Sequence, residues 1–463
     1  MNRLFAFSLL TAAAWVGLTS ATTLAAQARR FPPDSAIQAI LNEQVTAKKT
    51  AGIVIGLLDA DGSRRILSAG KSGNPGVMLD GNTVFEIGSI TKTFTTSLLA
   101  EMVARGDANL GDRVQGFLPP SVKIPSRNGR EITLLDLASV SSGLPGMPNN
   151  IKPADPRNPY ADYTVQQMYD FLSGHALTRD IGSQYEYSNL GMGLLGHVLA
   201  LRAGKSYFDL LRERILEPLG MGDTEIVLTP RLRARLALGH NPAGTVVPNW
   251  DIPTLAGAGA LRSTVNDMFK YLAANLDSTS RPLGAVFATT HRPRTNTPSP
   301  AMRVGMGWHI VATPGSSITW HNGGTGGYRT FMGFDQAKRV GVIVLTNSSV
   351  SADDIGLHLI DPAVPLSKPP APKVAKAIDP ALLPPYVGTY QFSPDISIAV
   401  TLENGALWIQ ATGQSKVKLI AESERDFFIV EDDIGVTFVT EAGAVTQLLV
   451  RQGGGSTPAK RVR

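Results

Sequence analysis

The stretch EIGSITKTF, residues 86–94, combines a serine and a lysine with the start of a predicted helix. Ser89 precedes Lys92 by three positions, and residues three apart on a helix are neighbours on its surface. A serine hydroxyl becomes an effective nucleophile only when a base takes its proton. The stretch is therefore either an activated nucleophile or a helix N-cap hydroxyl followed by an unrelated lysine.

The serine–lysine spacing alone does not decide between these readings, because it occurs a second time. Ser68 and Lys71 have the same spacing, but they end a predicted strand and enclose Gly70, so they are not expected to share a helical face. After Lys92, by contrast, apolar residues recur at helical intervals and Gly106 provides a stop. The remaining parts of a catalytic site must then come from other segments.

Composition narrows the class of protein. The 463 residues are 43% hydrophobic, carry a formal net charge of +5 and include no cysteine. This length predicts two or three domains. Without a dense basic segment, nucleic acid is not an expected partner. Without cysteine, the chain has no disulfide, no thiolate zinc site and no cysteine nucleophile.

The N-terminal residues 1–28 have the pattern of an export signal. Arg3 precedes an apolar run from Leu4 to Leu18, and Ala26-Gln27-Ala28 is a small-x-small cleavage site. The run is shorter than the roughly 20 residues that span a bilayer. We therefore predict export to the periplasm or the medium, with no stable transmembrane segment after cleavage.

The periodicity of the following segments predicts an α+β fold. Residues 51–70 and 330–347 each indicate two strands around a polar turn, and residues 163–174, 189–204 and 263–276 have helical periodicity. We expect the early and late strands to form one antiparallel sheet, with the helices inserted between them.

The C-terminal part changes character. Residues 361–385 are rich in proline and predict a linker. Residues 386–452 alternate with period two, with a hairpin signal at Asn404-Gly405, and predict a small all-β domain, a barrel or lipocalin-like unit. Residues 453–463 predict a flexible tail.

Two further motifs follow Ser89 in order: Tyr187-Ser188-Asn189 and HNGGTGG, residues 321–327. Together the three boxes resemble the active-site boxes of the class C β-lactamase and D,D-peptidase superfamily, which is penicillin-binding-protein-like. The resemblance spans residues 33–360 and implies a serine hydrolase domain, with an antiparallel sheet flanked by helices and a helical insertion.

The resemblance also implies a role for each box. Ser89 would be the nucleophile, Tyr187 would be the base that takes its proton, and Lys92 would hydrogen-bond the serine oxygen and relay the proton. A substrate and oxyanion set would comprise Asn189, His321, Gly323 and Gly324. The positive charge of Lys92, and of His321 to the extent that it is protonated near pH 7, would favour a phenolate at Tyr187. Which of Lys92 and Tyr187 is deprotonated in the ground state stays open, because coupled groups share their protons. No metal or cofactor is expected.

The function implied is an exported serine hydrolase that acts through an acyl-enzyme on amide bonds of D-alanyl peptides or their β-lactam mimics. The substrate partner would be a β-lactam or a peptidoglycan stem peptide. His321 and Asn322 stand where class C β-lactamases usually have lysine and threonine, which favours a D,D-peptidase-like enzyme. A class C-type β-lactamase, an esterase of the same fold and a non-turnover penicillin-binding sensor remain alternatives. The other six histidines lack metal-ligand spacing and are expected to be structural or on the surface.

Overall fold

The computed structural model describes residues 30–279, 283–367, 374–393, 396–412, 416–429, 434–452 and 455–462, so the predicted signal segment lies outside the described residues. The helices are α1 Asp34–Thr46, α2 Thr91–Arg105, α3 Leu134–Ala138, α4 Val165–Gly174, α5 Asn189–Ala203, α6 Tyr207–Leu211, α7 Pro230–Arg233, α8 Ala256–Gly259, α9 Val265–Leu276, α10 Gly284–Ala288 and α11 Asp353–Ile360.

The strands of the first part of the chain are β1 Gly52–Leu58, β2 Arg64–Gly70, β3 Phe85–Glu86, β4 Ser126–Arg127, β5 Arg130–Glu131, β6 Arg262–Ser263, β7 Thr295–Asn296, β8 Met302–Val304, β9 His309–Thr313, β10 Ser316–Gly324, β11 Arg329–Asp335 and β12 Val340–Thr346. Those of the second part are β13 Gly388–Ser393, β14 Ile396–Glu403, β15 Ala406–Ala411, β16 Val417–Lys418, β17 Ile420–Ala421, β18 Asp426–Phe428, β19 Ile434–Glu441, β20 Ala444–Gln452 and β21 Gly455–Arg461.

An antiparallel sheet joins the two ends of the first domain. Within the described residues it has eight strands in the order β2-β1-β12-β11-β10-β9-β8-β7. The β1–β12 pairing confirms that early and late strands meet. Both strands are buried along their whole length, which explains their continuous apolar sequences.

Helices cover both faces of this sheet. Ile37 and Leu41 of α1 and Ile355 and Leu359 of α11 pack in one core against one face. The larger core lies on the opposite face and includes α2, α5 and α9. The predicted helical segments are confirmed, and α2 ends where expected, because Gly106 adopts the left-handed conformation with φ of 79°. No helix in the described part of the chain is long and apolar enough to cross a membrane.

The C-terminal domain is a nearly closed antiparallel barrel, as the alternating pattern predicted. Across its described residues nine strands follow the order β16-β15-β14-β13-β21-β20-β19-β18-β17. Its core is formed by the inward residues of these strands, with Tyr390, Phe427 and Phe438 among the largest. Leu383, near the end of the proline-rich segment, and Tyr386, directly after it, also belong to this core.

The prediction of a flexible tail over residues 453–463 is wrong for β21. This strand pairs with β20 on one side and with β13 on the other, so it connects the two ends of the sheet formed by its neighbours. Ala459 is fully buried, while Lys460 beside it is exposed. The glycine-rich approach and Pro458 suggested a loose end, but the unpaired edges of β13 and β20 need a partner strand.

We expect Ala459→Asp to destabilise the barrel and Lys460→Asp to be tolerated, because only the first places a charge in the core. Ala459→Asp should lower the free energy of unfolding by about 3 kcal/mol or more, and Lys460→Asp by about 0.5 kcal/mol or less. Urea unfolding followed by circular dichroism, with limited proteolysis, measures both. Equal stability of the two variants would restore the flexible-tail prediction.

Candidate active site

Ser89 lies in the turn that begins α2. A 3₁₀ turn over Gly88–Ile90 leads directly into the helix, and the N-cap position of the helix is Ile90, which makes no side-chain cap hydrogen bond. Ser89 is therefore inside the first turn, and the N-cap reading of its hydroxyl is wrong. Gly88 has φ of 49° and packs against the backbone of Gly324, a conformation and a closeness that favour glycine.

Lys92 is fully buried one turn after Ser89. Its Nζ lies 2.9 Å from Ser89 Oγ, 2.7 Å from Asn189 Oδ1 and 2.7 Å from the carbonyl oxygen of Ala258. None of these three partners carries a charge. Desolvation by burial holds the pKa of Lys92 well below its ordinary value of 10.5.

The three partners of Lys92 match a neutral amine. Such an amine has two N–H donors and one lone pair. The Asn189 amide oxygen and the Ala258 carbonyl can only accept, so they take the two donors, while the Ser89 hydroxyl can donate to the lone pair. The arrangement thus has a place for a neutral Lys92 that receives the hydrogen bond of Ser89.

Asn189 is the first residue of α5, and its neighbour performs the capping. Ser188 Oγ accepts from the N–H of Gly191 at 2.8 Å and donates to the carbonyl of Pro145 at 2.6 Å. Because Ser188 caps the helix, the Asn189 side chain is available to contact Lys92. Within the YSN box, Ser188 therefore caps the helix and Asn189 contacts the lysine of the site.

Tyr187 faces Lys92, whose Nζ lies 4.7 Å from the centre of the phenol ring. Desolvation raises the pKa of Tyr187 above its ordinary value, and its hydrogen bond with Ser89 acts in the opposite direction. Burial therefore favours the neutral phenol at Tyr187 in the ground state, the point that the sequence left open. Burial disfavours the charge on both groups, so Lys92 does not provide the fixed cation that a phenolate requires.

His321 is buried on β10 and stacks on a second histidine, His309, with ring centres 4.9 Å apart. Desolvation by burial is the main cause that holds the pKa of His321 well below 6.5. Burial likewise lowers the pKa of His309 to about 4. The sequence predicted a partial positive charge at His321, whereas burial favours its neutral imidazole. Tyr187 lies 6.1 Å and 6.5 Å from the two imidazole centres.

Sequence reasoning did not single out His309. The residue follows Trp308 in the GMGW segment, but its position depends on the strand register, in which Trp320 pairs with His309. That register places His309 beside His321, and the sequence has no motif that reveals it.

Gly323 packs against the turn before Ser89, whereas Gly324 lies at the cleft. A Cβ atom at 323 would overlap the carbonyl oxygen of Ile87, so only glycine allows β10 to pack directly against the turn before Ser89. Gly324 borders the cleft beside Ser89. The side chain of Asn322 donates to Asp353 of α11 at 2.6 Å, so it is already engaged by the helix on the outer face of the sheet.

The cleft over Ser89 is mainly apolar. Its described lining consists of Ser89, Asn189, Gly324, Ala258 and Gly259, with Tyr160, Trp250, Ile252 and Leu255 on the remaining side. None of these residues carries a formal charge. The cleft therefore exposes a hydroxyl, an amide and backbone groups next to an apolar wall.

Comparison with known proteins identifies the family. Residues 37–363, more than two thirds of the chain, match the family model described as Beta-lactamase. The chain belongs to the beta-lactamase family. Members of this family are serine hydrolases, and this chain is therefore an enzyme of that class. The beta-lactamase match covers the sheet, the helices and all three boxes.

Two curated relatives show the range of this family. The chain is 30% identical over 311 residues to the D-alanyl-D-alanine-carboxypeptidase/endopeptidase AmpH of Escherichia coli, covering 63% of this chain and 79% of the relative. It is 25% identical over 409 residues to penicillin-binding protein 4* of Bacillus subtilis, covering 82% and 88%.

Solved structures agree with the fold. The beta-lactamase/D-alanine carboxypeptidase of Yersinia pestis superposes with a TM-score of 0.59 at 26% identity, covering 69% of this chain and 94% of its own. A class C beta-lactamase of Rhodobacter sphaeroides gives a TM-score of 0.60 at 23% identity, with 68% and 95% covered. Residues 372–458 match a separate model, a domain of unknown function named DUF3471.

The depressed pKa of Lys92 predicts how the stability of this beta-lactamase family enzyme changes with pH. Between the folded-state pKa and the unfolded value of about 10.4, the unfolded chain binds the proton that the folded chain lacks. The free energy of unfolding should therefore rise with pH relative to Lys92→Met, by up to about 1.4 kcal/mol per pH unit. Urea unfolding at several pH values measures the difference.

Lys123→Met is the matched control, because Lys123 is exposed. Its difference from the wild type should stay constant across the same pH range. Parallel stability curves for the wild type and Lys92→Met would mean that Lys92 keeps its proton in the folded protein, contrary to its uncharged surroundings.

Proposed function

We propose that the protein is an exported serine hydrolase that acts through an acyl-enzyme on amide bonds of D-alanyl peptides or of the β-lactams that mimic them. The observation that carries the proposal is the buried Lys92, which shares its hydrogen bonds among Ser89, Asn189 and Ala258, with no carboxylate partner among the described residues. A structural lysine is usually exposed or paired with an acid. An unpaired, buried amine beside a serine matches the requirement for a base.

The first step is attack by Ser89. The Ser89 oxygen bonds to the substrate carbonyl carbon as its proton passes to the neutral amine of Lys92. The carbonyl electron pair moves onto the oxygen, which takes hydrogen bonds from the backbone N–H groups of Ser89 and Gly324. N–H groups in the first turn of a helix have no acceptor within the helix, and one such donor is typically worth about 10² to 10³ in rate.

The second step is the departure of the amine. The tetrahedral species collapses, the C–N bond breaks, and the leaving nitrogen takes a proton from Tyr187. Its raised pKa keeps Tyr187 protonated and therefore able to donate. The protonated Lys92, 4.7 Å from the ring, returns a proton to the phenolate. Water then attacks the ester of Ser89. In the reverse of the steps above, Tyr187 passes a proton to Lys92 and takes one from the water, and Lys92 protonates the departing Ser89 oxygen, which regenerates the serine.

The D-alanyl peptide is the substrate that we favour. The Escherichia coli relative is named a D-alanyl-D-alanine-carboxypeptidase/endopeptidase, and His321 replaces the lysine typical of class C β-lactamases. Because the imidazole is neutral, it donates or accepts a hydrogen bond without supplying a fixed charge. A β-lactamase is the second candidate, since a Pseudomonas fluorescens relative, 25% identical over 58% of this chain and 80% of its own, has that name. Residues 1–28 support export.

The central experiment offers the purified protein a D-Ala-D-Ala peptide, a chromogenic cephalosporin and a short ester, and follows product and intact mass together. We expect steady peptide hydrolysis with a transient mass increase equal to the acyl group. Steady opening of the cephalosporin without peptide release would instead indicate the β-lactamase. One equivalent of product without turnover would indicate a penicillin-binding sensor, and turnover of the ester alone an esterase.

Ser89→Ala should abolish every one of these signals. Ser68→Ala is its matched control, because Ser68 and Lys71 repeat the spacing of Ser89 and Lys92 outside the site, where Ser68 Oγ donates to the carbonyl of Leu79. Near wild-type turnover in Ser89→Ala would refute the proposed nucleophile, as would a comparable loss in Ser68→Ala.

Tyr187→Phe tests the proton donor to the leaving group. We expect peptide turnover to fall by about 10² to 10⁴, the usual range for general acid–base catalysis. An ester with a p-nitrophenolate leaving group needs no proton, so its acylation should fall far less. Tyr169→Phe, which removes only a hydrogen bond to His197, is the control. An equal loss on both substrates would argue against this role.

A further inference from the structure

We propose that Asp353, at the start of α11, is a positioning residue for the oxyanion-binding N–H of Gly324 and acts on it through Asn322 and Arg329. The inference rests on the proposed transfer of an acyl group to Ser89. It concerns the outer face of the sheet, which none of the proposed chemical steps uses.

The last residues of β10 have two faces with different neighbours. Successive side chains of a strand point to opposite faces, and residues paired across two strands share a face. Gly323 lies on the inner face, against the turn before Ser89. Asn322 and Gly324 therefore belong to the outer face, together with Arg329, which pairs with Gly324 from β11. A group that holds this outer face holds the segment that carries the Gly324 N–H.

Asp353 holds the outer face through Asn322. The Asn322 Nδ2 donates to Asp353 Oδ2 at 2.6 Å, and a hydrogen bond to an ionised acceptor is roughly twice as strong as one between neutral groups. Helix α11 is itself fixed, because Ile355 and Leu359 are buried in the core against the sheet. The hydrogen bond thus ties β10 to an element that packs away from the cleft.

Arg329 holds the residues that follow Gly324. Its Nη1 donates to the carbonyl oxygen of Thr325 at 2.8 Å and to that of Tyr328 at 3.0 Å. These are the two ends of the turn between β10 and β11, which the Thr325 N–H closes with a hydrogen bond to the Tyr328 carbonyl at 3.1 Å. The guanidinium also lies against Gly324, where a Cβ atom would be 2.9 Å from Nη1.

The charge of Asp353 connects these contacts. Desolvation is the main cause that raises the pKa of Asp353 to about 6, and Asp354 of the same helix adds to it. The side chains of Asn322 and Ser351 and the charge of Arg329 act in the opposite direction. Burial lowers the pKa of Arg329, and the charge of Asp353 counteracts this. Asp353 is therefore mostly ionised near pH 7.5 and mostly protonated near pH 5.

This titration should move stability and catalysis in opposite directions. The folded-state pKa of about 6 lies above the unfolded value of about 3.9. Between these values the folded chain binds a proton that the unfolded chain lacks, so the contribution of Asp353 to the free energy of unfolding falls as the pH rises. The carboxylate that forms at the higher pH nevertheless strengthens the hold on Asn322 and Arg329. A residue that only supports the fold would not improve catalysis while it loses stability.

Phenylboronic acid tests the position of the Gly324 N–H. The Ser89 oxygen bonds to its boron as the serine proton passes to Lys92, and a boron-bound oxygen then takes the place of the oxyanion. Asp353→Asn keeps an acceptor oxygen but no charge. Near pH 7.5 we expect it to bind the boronic acid about tenfold more weakly than the wild type, a smaller loss than the 10² to 10³ that removal of a whole oxyanion donor typically costs. Near pH 5 the two proteins should bind alike, and calorimetric titration at both pH values measures this.

Asp354→Asn is the matched control, because it removes the same charge from the next residue, whose carboxylate accepts the N–H of Ser367 instead. It should keep the wild-type affinity near pH 7.5. Asn322→Ala removes the link between Asp353 and β10. Its loss of affinity and that of Asp353→Asn should not add in the double variant, because both changes break the same contact. Fully additive losses would overturn the path through Asn322.

The outcomes separate this inference from the proposed function. If phenylboronic acid binds to Ser89→Ala as tightly as to the wild type, the proposed function fails. If binding depends on Ser89 but Asp353→Asn matches the wild type near pH 7.5, or is weakened equally at both pH values, the positioning role of Asp353 is refuted and the proposed function stands.

Discussion

The centre of this molecule depends on the burial of one amine that has no counter-charge within the described part of the chain. Lys92 has its hydrogen-bonding partners on three separate parts of the chain: the turn before α2, the first residue of α5 and a carbonyl in α8. An amine removed from water requires all of them. The helical insertion therefore has to pack closely against α2, and the large core between the sheet and these helices fixes that arrangement.

The sequence predicted most of the regular elements, for identifiable reasons. The hairpin of β1 and β2 has a turn at Asp61-Gly62, and α2 has both an apolar stripe and Gly106 as its stop. The three boxes could be found because their side chains and order resemble a known superfamily. By contrast, Ala258 takes part through its carbonyl oxygen, which every residue has, so no sequence pattern could indicate it. His309 depends on strand register, and Asp353 on the packing of α11 against the outer face of the sheet.

The expectations that failed did so where a local pattern competed with tertiary structure. The composition of the C-terminal residues suggested a loose end, whereas two strand edges of the barrel required β21. At the centre of the enzyme, residue type predicted a cation at Lys92 and a partial positive charge at His321, because free lysine is charged near pH 7 and free histidine is charged in part. Burial reverses this preference for Lys92 and His321, and it strengthens the ordinary preference of Tyr187 for the neutral phenol. Residue identity alone does not reveal the degree of desolvation.

The close approach of β10 to the turn before Ser89 has a consequence for how this site tolerates change. Gly323 lies directly against the Ile87 carbonyl, and Gly88 against the Gly324 backbone. The spacing between these two segments is therefore set by main-chain atoms, which all sequences share. Side chains elsewhere around the cleft can therefore change, and with them the substrate that is bound. The distance between the turn that carries Ser89 and the end of β10 stays the same.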